Sequence, residues 1–64
     1  MEYDFDVIMS DVSERGVLAL ELGLEPNGRP IYRVSVFDGR GWTGARYHSF
    51  GAAITTYKFL RRVI

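Results

Sequence analysis

The run GVLALELGLEPNGRPIYRVSVF, residues 16–37, constrains the fold more than any other part of this chain. Leu18, Leu20, Leu22 and Leu24 alternate with Ala19, Glu21, Gly23 and Glu25, and Tyr32, Val34 and Val36 alternate with Ile31, Arg33 and Phe37. Successive side chains on a strand point to opposite faces, so each run has one apolar face and one mixed face. Leucine is a good helix former, and propensity alone argues for a helix here. The strict period of two and the turn between the runs outweigh it.

That turn, EPNGR, predicts a register. Pro26 presets φ at its first central position, Asn27 tolerates the second, and Gly28 can take the left-handed conformation that closes a type I turn with a G1 bulge. Glu25 and Arg29 then flank a three-residue loop, and the numbers of every opposed pair sum to 54. Leu22 faces Tyr32, Leu20 faces Val34 and Leu18 faces Val36 on one side; Glu25 meets Arg29 and Glu21 meets Arg33 on the other. A two-residue Asn-Gly loop would set Leu22 against Arg33 and Leu20 against Ser35. A slip of one residue exchanges the faces, which favours the first register.

Three further segments complete the expected architecture. Tyr3, Phe5, Val7 and Met9 alternate with Asp4 and Asp6, predicting a strand from Tyr3 to Met9 with the apolar four facing inward, and SDVSERG, Ser10 to Gly16, reads as a loop. In WTGARYHS, Thr43, Ala45 and Tyr47 alternate with Trp42, Gly44, Arg46 and His48. For the first set to join Tyr32, Val34 and Val36, the preceding loop must hold an even number of residues, either Asp38-Gly39 or Asp38 to Gly41. In SFGAAITTYKFLRRVI the period changes to 3.6: Phe50, Ala53, Ile54, Tyr57, Leu60 and Ile64 form one stripe, with Ala52, Thr56, Phe59 and Val63 as a second beside it. Ser49 suits an N-cap, and Lys58, Arg61 and Arg62 suit the negative end of the helix dipole. The expected fold is therefore α+β: one domain over residues 1–64, a four-stranded antiparallel meander with one C-terminal helix on its leucine face. The other face stays open and carries Ile31, Arg33, Phe37, Trp42, Arg46 and His48, flanked by Glu21 and Glu25.

Most catalytic readings fail on spacing. FDGRGWTG contains G-x-G-x-x-G at Gly39, Gly41 and Gly44. A dinucleotide fingerprint needs those glycines to open a helix inside a βαβ unit, with an acidic residue about 20 positions on. Here Gly39 and Gly41 lie between two strands and Gly44 within the second of them, as turn and bulge residues. Kinase glycine loops do occupy a hairpin, but the lysine, catalytic loop and metal-binding aspartate that follow them have no counterpart here. His48 is the only histidine, and no serine has it at a diagnostic spacing. Asp4 and Asp6 read as a solvated strand face. With no cysteine there is neither a thiolate zinc site nor a disulfide, and the chain fits a reducing compartment. A chain of 64 residues also has little core in which to enclose a substrate. No enzyme, cofactor or metal is expected. The acidic start MEYDFDV and the absence of an apolar run near ~20 residues argue against a secretory signal and a membrane span, so a complete, small cytoplasmic protein is expected.

Charge is uneven along the chain. Residues 1–28 hold Glu2, Asp4, Asp6, Asp11, Glu14, Glu21 and Glu25 against Arg15 alone; residues 29–64 hold Arg29, Arg33, Arg40, Arg46, Lys58, Arg61 and Arg62 against Asp38 alone. The formal net charge is nevertheless +0. Such asymmetry points to a charged partner. Two function classes follow.

In the first, nucleic acid meets the open face, with Phe37 and Trp42 stacking on bases and Arg33, Arg40 and Arg46 on phosphates. The segment from Ile31 to Tyr57, with W-T-G in its second strand and F-x-x-A-x-x-x-Y opening its helix, resembles the DNA-reading sheet of AP2-type and integrase N-terminal domains. That resemblance implies a DNA-facing sheet. In the second class the protein binds a larger protein or complex. Its contact is either the open face of Arg33, Phe37, Arg40, Trp42, Arg46 and His48, or an acidic patch of Glu2, Asp4, Asp6, Asp11 and Glu14 docking on a basic groove that normally holds nucleic acid. It would then act as a small inhibitor of a nucleic-acid-handling complex, of the kind that phage and mobile elements encode. Neutrality penalises the electrostatic term that dominates DNA affinity, so protein binding is preferred. The same face or a free edge strand also allows a homodimer.

Overall fold

Alternation and the EPNGR turn build the centre of the sheet as expected. In the computed structural model, which describes residues 4–64, β2 (Gly16–Leu24) and β3 (Pro30–Phe37) pair antiparallel in one unbroken register from Val17 opposite Phe37 to Leu24 opposite Pro30. Gly28 has φ 84° and donates its N–H to the Glu25 carbonyl at 2.8 Å, while the Glu25 N–H donates to the Arg29 carbonyl at 2.9 Å. The Asn27 side chain accepts from the Arg29 N–H at 2.9 Å, which locks the turn from inside.

The third hairpin uses the four-residue loop, Asp38 to Gly41. It sets β4 (Trp42–Tyr47) beside β3 with Phe37 opposite Trp42, Val34 opposite Ala45 and Tyr32 opposite Tyr47. Asp38 Oδ1 accepts from the Arg40 N–H at 2.9 Å within that loop. The helix α1 (Phe50–Val63) follows at once, its N-cap Ser49 accepting from the Ala52 N–H at 3.3 Å and its last turn carrying Arg61 and Arg62. Its expected stripe faces the sheet. Leu18, Leu20, Val34, Ala53 and Tyr57 form the buried core, with Tyr32, Val36, Tyr47, Ile54, Leu60 and Ile64 packed around it.

The first strand corrects the sequence reading. β1 spans Asp6–Ser13, beginning later than expected and running through most of the segment that read as a loop. Tyr3, where the strand was expected to start, lies outside the described residues. The sheet order is β1-β2-β3-β4. Val7 pairs with Glu21 and Met9 with Leu20, so Ile8 is an extra residue at a bulge. Inserting one residue changes the face. Met9 and Asp11 join Leu20 and Leu18 on the helix side, whereas Val7 sits with Glu21 on the other, and the expected inward set of Phe5, Val7 and Met9 is divided.

The β1–β2 hairpin then turns through Glu14 and Arg15 alone, with Ser13 opposite Gly16. Gly16 is required there. At φ 156°, a Cβ on it would stand 2.1 Å from the carbonyl oxygen of Phe37. Arg15 reaches across to donate to the Val63 carbonyl at 3.1 Å, tying the turn to the end of α1. Beneath that contact Asp11, expected in a solvated loop, accepts a hydrogen bond from the hydroxyl of the buried Tyr57 and lies 3.8 Å from Arg61 Nε. Among the described residues, no helix is long and apolar enough to cross a membrane.

Candidate functional site

The strand registers determine what lies on the face away from α1. Three rows run across the sheet, one for every second residue along each strand, about 7 Å apart. The middle row, Ser10, Ala19, Ser35 and Gly44, consists of small residues and forms a floor. On one side stand Val12, Val17, Phe37 and Trp42, an apolar wall; on the other stand Val7, Glu21, Arg33 and Arg46, a mixed and charged one. Between them lies a groove of about 470 Å³, bounded by Val7, Ala19, Glu21, Arg33, Ser35, Trp42, Thr43, Gly44 and Arg46.

The charged wall is organised by one carboxylate. Arg33 donates from Nε and Nη2 to the two oxygens of Glu21 at 2.9 and 2.8 Å, and the Ser35 hydroxyl donates to Glu21 Oε1 at 2.7 Å. Glu21 is only 9% exposed. The Arg33 hydrogen bonds hold its pKa below the ordinary carboxylate value, helped by Ser35 and opposed by burial. Above them Phe5 covers one corner of the sheet. Its ring lies over Gly23, 4.1 Å from the Arg33 guanidinium and 5.8 Å from that of Arg46. Ile31, opposite Gly23 on a face expected to be open, is buried, at 4% exposed.

Trp42 is the exposed anchor of the apolar wall. It remains 59% exposed while its ring packs against that of Phe37 at 5.4 Å between centroids. Trp42→Ala is therefore expected to cost under about 1 kcal/mol in urea unfolding, against the ~3–5 kcal/mol of a buried aromatic. A strongly blue-shifted tryptophan emission from the isolated chain would contradict this placement.

The remaining sequence candidates are scattered. His48 lies past the end of β4 with Nε2 3.1 Å from Glu25 Oε1, while Glu25 also stands opposite Arg29 across the turn, as expected, its N–H on the Arg29 carbonyl. Arg40 is exposed in the β3–β4 loop. Of the acidic set, Glu2 lies outside the described residues and Asp11 is engaged by Tyr57 and Arg61. Asp4 and Asp6 are exposed near the start of β1, and Glu14 is exposed in the turn beyond its far end. Eight residues of strand place Asp6 and Glu14 about 25 Å apart, so these acids do not make one patch. Among the described residues no group of three or more His, Cys, Asp or Glu side chains is placed to hold a metal.

Sequence reasoning missed Ala19, Ser35 and Gly44 as a floor and Phe5 as a cover. The floor was within reach, because the two registers that pair residue 19 with 35 and 35 with 44 follow from the turn lengths. Phe5 was not, because the bulge after Val7 leaves no trace in composition. Comparison of the chain with protein-family models, with curated proteins and with solved structures gives no match, so the likeness of Ile31 to Tyr57 to DNA-reading sheets rests on the residues alone.

Proposed function

We propose that this chain is a protein-binding module that acts by occupying, and so blocking, a surface of a larger partner, which it meets through the groove across the open sheet face. The observation that carries this is the Glu21–Arg33 pair in the wall of the groove. A phosphate-binding face presents cations to the ligand, whereas here a guanidinium is held bidentate by a carboxylate of the same chain. The other wall offers an exposed Trp42 beside Phe37, and tryptophan with arginine nearby is the composition of protein interface hot spots. A site with one apolar wall and one polar wall suits a partner segment that carries both kinds of side chain. The dispersed acids give the alternative acidic contact less support. The absence of cysteine fits action in a reducing cytoplasm.

The test is a pull-down from host lysate with the wild-type chain, with a Trp42→Ala/Arg46→Glu variant and with an Asp4→Lys/Asp6→Lys variant. The groove variant is expected to lose the captured protein and the aspartate variant to keep it; the reverse pattern would move the contact to the acidic end of β1. In parallel, a gel-shift titration with short DNA and RNA at about 0.15 M salt, where screening acts over roughly 8 Å, is expected to show no retention. A submicromolar complex under those conditions would make the same face a nucleic-acid site, and its affinity would then fall steeply with salt.

A further inference from the structure

We propose that the outward side of α1 is a second docking surface, on the opposite face of the sheet from the groove and independent of it, and that it receives an acidic amphipathic helix of a partner protein. The sequence of α1 holds Lys58, Arg61 and Arg62 and no aspartate or glutamate. Lys58 and Arg62 stand four residues apart, so they form a row about 6 Å long on one side of the helix. Phe59 and Val63 form a second row of the same spacing beside it. All four side chains are exposed, Phe59 at 62% and Val63 at 47%.

Neither row is used inside the chain. Among the described residues, the Lys58 and Arg62 side chains make no hydrogen bond or ion pair, whereas Arg61, on the flank toward β1, lies beside Asp11. Asp11 balances Arg61 and Glu14 balances Arg15 in the adjoining turn, which leaves the charges of Lys58 and Arg62 uncompensated on this side. The backbone beneath them is held in place. The Tyr57 hydroxyl donates to Asp11 of β1, and Arg15 of the β1–β2 turn donates to the Val63 carbonyl at 3.1 Å. A partner therefore meets a formed surface and has none to order.

Charge and spacing together select the occupant. The surface calls for a carboxylate opposite each cation and an apolar side chain against each of Phe59 and Val63, both at a step of about 6 Å. A helix supplies the two rows at once, because its own i, i+4 ridges repeat at that step and interdigitate with those of α1. A strand turns alternate side chains away and presents a single row. A nucleic acid would meet the cations through its phosphates and leave Phe59 and Val63 in water. Two turns of helix bury on the order of 400 Å² per partner, so the contact is a transient one in which the charges set the choice of partner.

The test is an amide chemical-shift titration of the labelled full chain with a crosslinked helical peptide that carries two Glu and, one position on from each, two Leu, each pair at i, i+4. The peptide is taken to about 1 mM, which reaches contacts as weak as millimolar. The amides of Lys58, Phe59, Arg62 and Val63 are expected to move, while Ala19, Ser35 and Gly44 in the groove stay still, so failure here leaves the groove reading standing. A peptide with Gln in place of Glu is expected to bind at least tenfold more weakly. Lys58→Glu/Arg62→Glu, at two exposed positions, is expected to keep the circular dichroism spectrum, to lose the Glu peptide and to gain a version with Lys in its place. Still α1 amides, equal binding of the Glu and Gln peptides by the wild-type chain, or a charge-reversed chain that keeps the Glu peptide overturns the proposal. Tighter binding to phosphatidylserine vesicles or to a short DNA duplex than to the Glu peptide also overturns it, and assigns the cations to lipid or to nucleic acid.

Discussion

Arg33→Met is expected to destabilise the fold by about 2–4 kcal/mol at neutral pH, because it strands the nearly buried Glu21 carboxylate with only the Ser35 hydroxyl for a partner. The figure sits below that of a fully buried pair because a third of the Arg33 side chain is in water, its exposure being 33%. Removing the whole polar cluster is a different matter. Glu21→Leu/Arg33→Met/Ser35→Ala leaves no unpaired charge and is expected to return to within about 1 kcal/mol of wild type. The pH dependence follows from the same geometry. Glu21 has its folded pKa held below the ordinary 4.5, so its pairing stabilises fully above that value and is lost as pH falls through the lowered one. Urea midpoints of wild type and Arg33→Met are thus expected to converge as pH drops below about 4.5. A gap that stays constant from pH 7 to 3 would show that the pair contributes little.

Tyr57→Ala is expected to have the largest effect of any single change. Tyr57 is 0% exposed at the centre of the core, and truncating a buried aromatic costs about 3–5 kcal/mol. A domain of this size holds roughly 3–10 kcal/mol in total, so much of the variant population should be unfolded at 37 °C by circular dichroism. Tyr57→Phe separates the ring from its hydroxyl. Burial, together with the Asp11 carboxylate, pushes the Tyr57 hydroxyl up to about 12 from an ordinary 10.0. A raised folded pKa means that this stabilisation is complete below pH 10 and is lost as pH rises toward 12. Tyr57→Phe should be less stable than wild type at neutral pH, by about 1 kcal/mol, and should lose less on going from pH 9 to 12. Equal losses in the two chains would remove the hydroxyl from the account.

Where one periodicity and one turn agreed, the sequence was read correctly. The EPNGR loop length fixed the β2–β3 register and placed Glu21 against Arg33, and the even loop at Asp38 to Gly41 brought Thr43, Ala45 and Tyr47 onto the leucine side. Both are local constraints: a turn type sets a register, and a register sets faces. β1 was misread because its pattern contains an extra residue. Alternation through Phe5, Val7 and Met9 looks continuous in sequence, but the bulge at Ile8 moves Met9 and Asp11 to the helix side, and no composition signal marks it. The loop expected over Ser10 to Gly16 failed for a related reason, since the polar residues Ser10, Asp11 and Ser13 belong to an edge strand, where polar side chains are tolerated. Asp11 found Tyr57 across 46 positions of sequence, a pairing that only the packed helix creates.

The most direct test of the groove as the binding face is an amide chemical-shift map of the labelled chain on addition of the protein it captures from its host. The largest changes are expected along the floor and its walls, at Ala19, Ser35, Phe37, Trp42 and Gly44, with little change at Asp4, Asp6 and Glu14. Changes concentrated at those three acids, with the groove amides unmoved, would contradict the account.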